Sequence, residues 1–279
     1  MSSFQVRQGS LKIVDATKVA ARGALFVTEA RFRSMLKWVW LIISIAIANP
    51  VLYLISIGLG LGSYIDQNAG SAGVDGVSYL TFLAPALLAT AAIQGALDES
   101  VYPTLEGFKW NKTFFSMNAT PLSGNHIAMG VFFNSLIRTV FTAIFYWLVM
   151  LAFGVLESPR AWLAIFTAVM AGAAFGALMQ ALAGLLENEN VFFTIVDRFI
   201  IMPLFLFSGT FYPLTNMPIF LQWIGWISPL WHATELGRWL TYGSEISTTM
   251  LFVHFIFLNS ILIFGLFASR RIFTRRLGK

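Results

Sequence analysis

Three charged residues lie within long apolar stretches of this sequence: Arg138, Asp197 and Arg198. An ionisable side chain at membrane depth is costly, so such residues usually pair with one another or take part in function. Counted along their helices, Arg138 would lie about 16 Å and Asp197 about 9 Å from the inner surface. A guanidinium that reaches back by about 6 Å would meet the Asp197 carboxylate. We therefore predict an intramembrane ion pair, structural or functional, with Arg198 extending to the inner interface.

Other side chains that could carry chemistry are few and dispersed. Without cysteine, the sequence has neither a disulfide nor a thiolate metal site. His126, His232 and His254 stand far apart along the chain, so we expect no metal-ligand cluster among them. The sequence also lacks the G-x-x-x-x-G-K-S/T loop that cradles nucleotide phosphates. We predict a protein that is not an enzyme, with no catalytic residues, no metal site and no cofactor of its own.

The composition is that of a membrane protein that crosses the bilayer several times. Hydrophobic residues make up 57% of the chain and charged residues 11%, against roughly 25% charged in soluble proteins. A formal net charge of +5 would favour nucleic acid in a soluble protein, but here the basic residues gather beside apolar runs. We attribute them to membrane topology and anionic lipid, and we expect no nucleic-acid partner.

Apolar runs predict an all-α fold with six transmembrane helices. Pro50 should kink the first span, and the Gly-rich stretch from Gly58 to Gly76 should form an external loop. The fourth span carries a stripe of small residues that suits close helix packing within the molecule. The stripe consists of Ala164, Ala168, Gly172 and Gly176. The six spans are expected near residues 38–61, 77–97, 127–151, 162–186, 191–212 and 250–267.

An amphipathic helix is predicted before the first span, from Lys12 to Ser34. Its charged stripe contains Asp15, Lys18, Arg22, Glu29 and Arg33. Its apolar face contains Ile13, Ala16, Ala20, Ala24 and Val27. Glu29 and Arg33 stand in the favourable i,i+4 order for an ion pair. The helix is too polar to span, so we place it in the cytoplasmic interface of the membrane, although an ordinary solvated helix fits the pattern equally.

A polar insert follows the second span, over residues 98–125, and is long enough for a short helix and a turn. Its aromatic residues are too many for an inert loop, which indicates a docking surface. They are Phe108, Trp110, Phe114 and Phe115. Rings that merely rest on the bilayer would explain the same pattern.

The stretch from Pro203 to Arg238 is apolar enough for lipid but cannot form one helix. It is interrupted by Pro203, Gly209, Pro213, Pro218, Gly225 and Pro229. Irregular backbone survives in hydrocarbon only against protein or beside water, so we predict short re-entrant helices on the external side. A hydrophobic external cap is the alternative.

Basic residues are distributed unevenly between the loops. The inner segments hold nearly all of them, whereas the outer segments hold only Arg160 and Arg238. This asymmetry places both termini in the cytoplasm. The predicted division is a cytoplasmic segment 1–36, a transmembrane domain 37–269 with a re-entrant segment 211–245, and a basic cytoplasmic tail 270–279.

The order of these elements resembles that of the type 2 ABC transporter permeases. An interfacial helix, six spans, a polar insert after the second span and an interrupted segment before the sixth all fit. The stretch FLFSGTFYPLTNMPIFLQWIGWISPLWHATELGR is similar to the signature region of the nodulation lipo-oligosaccharide and daunorubicin-type drug exporters. The resemblance covers nearly the whole chain, and this stretch is its most specific part.

The resemblance implies a permease subunit of a bacterial inner-membrane exporter, a dimer that works with two ATPase subunits in which ATP and Mg bind. The insert would be a coupling helix whose contacts are Tyr102, Glu106, Phe108, Lys109 and Trp110. The pathway or gate would include Tyr53, Phe207, Phe211 and Tyr212. The cargo would be lipid-linked, a glycolipid or oligosaccharide, or an amphiphilic drug. An O-antigen or teichoic-acid type polysaccharide exporter is the alternative, and an ion-coupled secondary transporter is a more distant one.

Because the chain has no cysteine, single substitutions can report its topology. With both termini inside, Ser3→Cys, Asn111→Cys and Gly278→Cys should be shielded from an impermeant thiol reagent in intact cells and labelled after permeabilisation. Gly70→Cys and Ser244→Cys should react in intact cells. Labelling at position 111 from outside would contradict the six-span arrangement.

Overall fold

The computed structural model describes residues 16–69, 73–186 and 196–278. This part of the chain is almost entirely helical, and five of its helices are long and apolar enough to cross a membrane. They run over Val39–Asn68, Tyr79–Trp110, Gly124–Ala152, Ala161–Leu185 and Thr248–Arg276. The all-α membrane fold is thereby confirmed, with five of the predicted spans. Residues 187–195, where the sequence predicts the start of the fifth span, lie outside the described part.

We number the α-helices in chain order. Helices α1 to α4 cover Ala16–Leu36, Val39–Tyr53, Gly62–Ala69 and Tyr79–Leu105. Helices α5 to α8 cover Thr113–Asn118, Gly124–Ala152, Ala164–Leu185 and Met202–Phe207. Helices α9 to α11 cover Ile219–Trp226, Pro229–Thr241 and Thr248–Arg276. Wider π-helical turns follow α2 over Leu54–Leu61, follow α4 over Glu106–Trp110 and precede α8 over Asp197–Ile201.

Helices α4 and α7 form the centre of the bundle, and small residues let them approach closely. Gly172 of α7 lies against the backbone of α4, where an added Cβ would meet Ala92 O at 2.8 Å. One turn further, an added Cβ at Gly176 would lie 3.0 Å from Ala96 Cβ. The two alanines of the same stripe are buried as well. The predicted small-residue stripe is confirmed as a contact within the molecule.

The first span is longer than the sequence predicts. The prediction of an external loop that begins at Gly58 is wrong up to Ala69, because the helix continues through π-helical turns into α3. Gly58 is a packing glycine, since an added Cβ there would collide with the Leu80 side chain of α4. The glycine marks a close approach of two helices here, and not a turn of the chain.

The second span also continues beyond its predicted end, because α4 runs through Asp98 and Glu99. The polar insert predicted over 98–125 therefore begins as helix, and only its second half contains the expected turn and short helix, α5. Both carboxylates have partners on α6, so their charges do not end the helix.

Several loops and helix ends gather at one end of the bundle, which we call the insert end. Arg31 of α1 pairs with Glu106 at 3.0 Å, after the last turn of α4. Asn118 Nδ2, at the end of α5, donates to Leu277 O at 2.9 Å. The elements predicted to be internal therefore lie together, since α1, the insert and the end of α11 share this surface.

The opposite end, which we call the re-entrant end, holds the elements predicted to be external. Tyr242 and Ser244 each donate to Asp75 Oδ2 at 2.8 Å. Burial raises the pKa of Tyr242, so its hydroxyl stays protonated and serves as the donor. The Glu157 backbone N–H donates to Thr241 O at 3.0 Å. The separation of the two ends matches the predicted topology, and the cytoplasmic orientation of the insert end stays a prediction.

Helix α1 packs on α6 along a face that agrees with the predicted one at Val27 and half-buried Ala24 but not at Ala20, and Ile13 lies outside the described residues. Val19 and Val27 are buried, whereas Ala20, which the sequence assigns to the apolar face, is exposed. A glycine of α6 fixes this register, because an added Cβ at Gly130 would meet Val27 Cγ1 at 2.5 Å. The predicted i,i+4 ion pair of the charged stripe is confirmed at 2.7 Å.

The aromatic residues of the insert divide between the core and the surface. Phe108 and Phe114 are buried, and the Phe108 ring centroid lies 5.0 Å from that of Phe114 and 4.8 Å from that of Phe273. The Arg276 guanidinium lies 4.3 Å from the Phe108 ring centroid. The expectation that Phe108 and Phe114 are exposed is therefore wrong, and the coupling role of Phe108 stays a prediction. Helix α11 continues through the predicted tail and brings Phe273 under the insert.

Phe108→Ala should lower the free energy of unfolding by about 3–5 kcal/mol, as expected for a truncated core ring. Phe115→Ala is the matched control, because its ring is 44% exposed at the same end. The control should cost less than about 1 kcal/mol, as surface substitutions do. Thermal unfolding in detergent compares the two variants, and equal losses would contradict the place of Phe108 in the core.

Candidate functional site

The interrupted segment folds into short helices and their turns at the re-entrant end, as predicted. Helix α8 ends at Phe207, and α9 and α10 follow before the last span. Ser208 Oγ donates to Ser228 Oγ at 2.6 Å, and Ser228 Oγ accepts from the Leu230 backbone N–H at 3.2 Å. The second bond caps the first turn of α10. Both serines are fully buried, so the polar groups at this break in the helix are satisfied by other protein groups.

Arg238 holds this segment to the rest of the bundle. Its side chain is 2% exposed, and its guanidinium carbon lies 3.7 Å from the centroid of the Phe82 ring on α4. Nη2 donates to Gly209 O at 2.7 Å, Nε donates to Phe82 O at 3.4 Å, and Nη1 pairs with Glu235 at 3.0 Å. Arg238, which the sequence places among the outer segments, is thus a buried residue of α10 and not an exposed loop charge. The sequence does contain a signal for this helical position, because Glu235 stands three residues earlier, at a spacing that suits an ion pair within one helix.

The aromatic residues predicted at a pathway or gate occupy two environments. Phe207 and Phe211 are half-buried, with Phe207 packed against buried side chains of the interrupted segment. Phe211 O accepts from Tyr79 OH of α4 at 3.1 Å. Tyr53 and Tyr212 are 41% and 37% exposed. These two tyrosines are the more accessible to a ligand, and the pathway role of the four residues stays a prediction.

The intramembrane arginine has a partner that differs from the predicted one. Arg138 Nη2 lies 3.7 Å from Asp98 Oδ2, and the two side chains are 9% and 41% exposed. The side chain of Asp197, the predicted partner, lies outside the described part of the structure, and Arg198 is exposed. The sequence hides the observed pair, because Asp98 resembles the start of a polar insert and not part of a continuing helix.

A second polar contact joins α4 to α6 beside this pair. Asn134 Nδ2 donates to Glu99 Oε2 at 2.8 Å. Along α4, Gln94 Nε2 donates to Asp98 Oδ1 at 3.1 Å. Hydrogen bonds of this kind fix which helices meet in a membrane and in which register. The charged residues at this level therefore hold α4 against α6.

Two histidines that lie 22 residues apart in the sequence meet in the structure. His232 Nδ1 of α10 lies 2.7 Å from His254 Nδ1 of α11, and both side chains are buried. His232 Nε2 lies 3.0 Å from Trp226 O, so this nitrogen carries the proton and donates to the carbonyl. His232 Nδ1 is then the acceptor of a hydrogen bond from His254. The pair joins the interrupted segment to the last span.

Arg138 and Asp98 should show energetic coupling in a double-mutant cycle. Arg138→Ala and Asp98→Ala each leave a charge without its partner, so the double substitution should cost less than the sum, by about 1 kcal/mol. The exposed pair Glu29 and Arg33 is the matched control, since such helical pairs couple by about 0.3–0.5 kcal/mol. Thermal unfolding in one detergent measures both cycles. Strict additivity at Arg138 and Asp98 would contradict their pairing.

Related proteins share most of the length of this chain. Nodulation protein J of Rhizobium leguminosarum bv. viciae is 28% identical over 211 residues, which cover 74% of this chain and 77% of the relative. Nodulation protein J of Neorhizobium galegae is 27% identical over 238 residues, which cover 83% of this chain and 85% of the relative. The inner membrane transport permease YadH of Escherichia coli K12 is 25% identical over 198 residues, which cover 71% of this chain and 74% of the relative.

A family profile described as ABC-2 type transporter matches residues 25–242. The matched region includes α2 to α10, and with them the insert, the charged pair between α4 and α6, and the interrupted segment. The match extends over well more than half of the sequence. The chain therefore belongs to the ABC-2 type transporter family.

Proposed function

We propose that this chain is the permease subunit of an ATP-driven exporter for a lipid-linked, glycolipid or oligosaccharide, or amphiphilic drug-like cargo. The observation that carries the proposal is that α4 connects the two specialised ends of the molecule. At the re-entrant end, Phe82 of α4 meets Arg238, which holds the interrupted segment. At the insert end, the same helix leads into the turn Glu106–Trp110. A movement imposed on the insert would reach the interrupted segment through one continuous helix.

The energy would come from two separate ATPase subunits, in which ATP and Mg bind. As a member of the ABC-2 transporter family, this chain is a transmembrane subunit and not an ATPase. The insert end offers a contact surface, because Tyr102 and Trp110 are 56% and 53% exposed. Glu106 and Lys109 lie partly exposed between them. Aromatic rings with charged residues beside them suit a protein interface. Phe108 would support this surface from below, as part of the core.

A second copy of this chain would complete the transport pathway, as a homodimer. The centre of one bundle is filled by the close contact of α4 and α7, so a bulky cargo fits more readily between two copies. The first and last spans are mostly exposed, which leaves surface for lipid and for the second copy. We place the protein in the bacterial inner membrane with both termini in the cytoplasm, so that the insert end faces the ATPase.

The cargo class rests on the likeness of the interrupted segment to the nodulation and drug exporters. Similarity to two proteins named Nodulation protein J supports the same branch. Inverted membrane vesicles test the function directly. Vesicles with this chain and the ATPase that co-purifies with it should accumulate a fluorescent lipid-linked oligosaccharide with ATP and Mg, but not with ADP. Failure of any ATPase to co-purify from native membranes would contradict the proposal.

The variant Tyr102→Ala with Trp110→Ala should uncouple the complex. Each ring is expected to contribute about 2 kcal/mol as an anchor in the ATPase interface. We expect weaker co-purification of the ATPase and loss of cargo-stimulated ATP hydrolysis, with thermal unfolding of the permease unchanged. Trp162→Ala is the control, because this ring is 60% exposed at the re-entrant end. Normal stoichiometry and hydrolysis in the double variant would contradict the docking assignment.

A further inference from the structure

The last turns of α11 form one wall of an open, basic recess at the insert end. The recess has a volume of about 490 Å³ and lies between the C-terminal part of α11 and the first turn of α6. Its lining residues are Asn125, Phe267, Arg270, Arg271, Thr274 and Arg275. Three arginines therefore border one space, together with one aromatic ring.

Close packing of the two helices builds this recess. Gly124 at the start of α6 lies against α11, where an added Cβ would meet Thr274 Cα at 2.8 Å and Phe273 O at 2.9 Å. Arg270 Nε donates to Asn125 Oδ1, which joins the next residue of α6 to the basic turn of α11. Since this bond occupies the amide oxygen, Asn125 retains its amide nitrogen as a further donor. The two walls are therefore held together by the protein itself.

The positive charge of the recess has no acidic counterpart in the described part of the chain. Arg270, Arg271 and Arg275 are exposed, and no ion pair joins any of them to a described carboxylate. The Thr274 hydroxyl donates to Arg270 O at 2.8 Å, within the helix, so the guanidiniums are the main donors of the recess. A phosphate suits them, because each planar guanidinium can donate two parallel hydrogen bonds to it.

The length of α11 places the recess at the level of the lipid head groups. This helix has 29 residues, which span about 43 Å, whereas the hydrocarbon core of a bilayer is about 30 Å thick. Counted from Thr248, the hydrocarbon ends near Phe267, after about 20 residues. The three arginines that follow therefore lie where lipid phosphates lie.

An exposed apolar stripe leads from the recess along the hydrocarbon part of α11. Ile256, Ile263 and Phe267 are mostly exposed. Their spacing of seven and four residues places them on one face of the helix, and Arg271 continues that face one turn further. An acyl chain would cover this stripe while its head group filled the recess. A soluble anion would leave the stripe uncovered.

We propose that the recess binds the head group of an acidic phospholipid, whose acyl chains lie along the exposed stripe of α11. The phosphate accepts from Arg270, Arg271 and Arg275, and α6 adds a donor from Asn125. A zwitterionic lipid carries an amine that the arginines repel, so the recess selects a lipid with net negative charge. One bound lipid thereby holds the start of α6 to the end of α11. The site goes beyond the exporter function and does not depend on the cargo.

Two lipids with the same acyl chains test the choice of head group. The full chain, captured on beads and exchanged into lipid-free detergent, is titrated with tritiated dioleoyl phosphatidylglycerol or dioleoyl phosphatidylcholine. We expect saturable binding of the phosphatidylglycerol, with an affinity about tenfold above that for the phosphatidylcholine. The phosphatidylglycerol should also raise the temperature of thermal unfolding, because a ligand of the folded state stabilises it. Equal affinities would overturn the proposed site.

The head group without its chains separates a lipid site from a site for a soluble anion. Unlabelled glycerophosphoglycerol and unlabelled dioleoyl phosphatidylglycerol compete with the tritiated lipid at constant ionic strength. Half-displacement should need at least about tenfold more glycerophosphoglycerol, because it cannot cover the apolar stripe. Equal concentrations would assign the recess to a soluble phosphate compound and overturn the lipid site.

Matched variants separate a built site from the general attraction of basic residues for acidic lipid. Arg271→Gln and Arg275→Gln should each lower the affinity for phosphatidylglycerol about tenfold, with thermal unfolding in lipid-free detergent unchanged. Lys37→Gln is the control, because it removes the same charge from an exposed position between α1 and α2. Arg271→Lys keeps the charge but loses the planar fork, so it should also weaken binding. Equal effects at Lys37 and Arg271 would overturn the site.

Contact with another protein subunit is the other use of such a basic surface. Co-purification of the ATPase and the mass of the assembled complex are therefore measured on the same variants. We expect normal assembly in Arg271→Gln together with weaker binding of phosphatidylglycerol. Lost assembly with unchanged lipid binding would assign the recess to a protein partner and overturn the proposal. Lipid binding is measured without export, so its failure is distinguishable from failure of the exporter function.

Discussion

Irregular backbone inside a hydrocarbon layer needs protein partners, and the buried guanidinium of Arg238 supplies them at the break after α8. It binds the carbonyl of Gly209, whose φ of 71° lets the chain turn, and the carbonyl of Phe82 on α4. Its own charge is balanced by Glu235 and by the face of the Phe82 ring. Without this side chain, the carbonyls of Gly209 and Phe82 would lose their hydrogen-bond donor and the Glu235 carboxylate would lose its partner. The interrupted segment therefore depends on Arg238.

The same environment decides how the long helices recognise one another. Lipid tails are as apolar as leucine, so burial of apolar surface does not select helix neighbours as it does in water. Small residues bring α4 and α7 into contact, and single polar bonds set the register of α6 against both. Gln180 Nε2 donates to Ala128 O at 2.8 Å, and Ser135 Oγ donates to Ala96 O at 2.8 Å. The polar residues of this bundle therefore have a structural role, whatever they do for a cargo.

The sequence predicts the features that depend on local pattern and misses those that depend on distant contacts. Five spans and the ion pair of α1 follow from hydropathy and four-residue spacing. The burial of Phe108 does not, because Phe273 of the last helix covers it. Asp98 misleads because a carboxylate in a helix and one at the start of a loop look alike in sequence. Gly58 misleads because close packing and chain turns both favour glycine.

Helix α4 has polar bonds to its neighbours at three levels. The Phe82 carbonyl accepts from Arg238 near its start, Asp98 meets Arg138 of α6 further along, and the turn after its end meets α1. Breaking a backbone hydrogen bond in hydrocarbon costs several kcal/mol, so α4 is expected to move as a unit. A partner that displaced the insert would therefore act on α6 and α10 together.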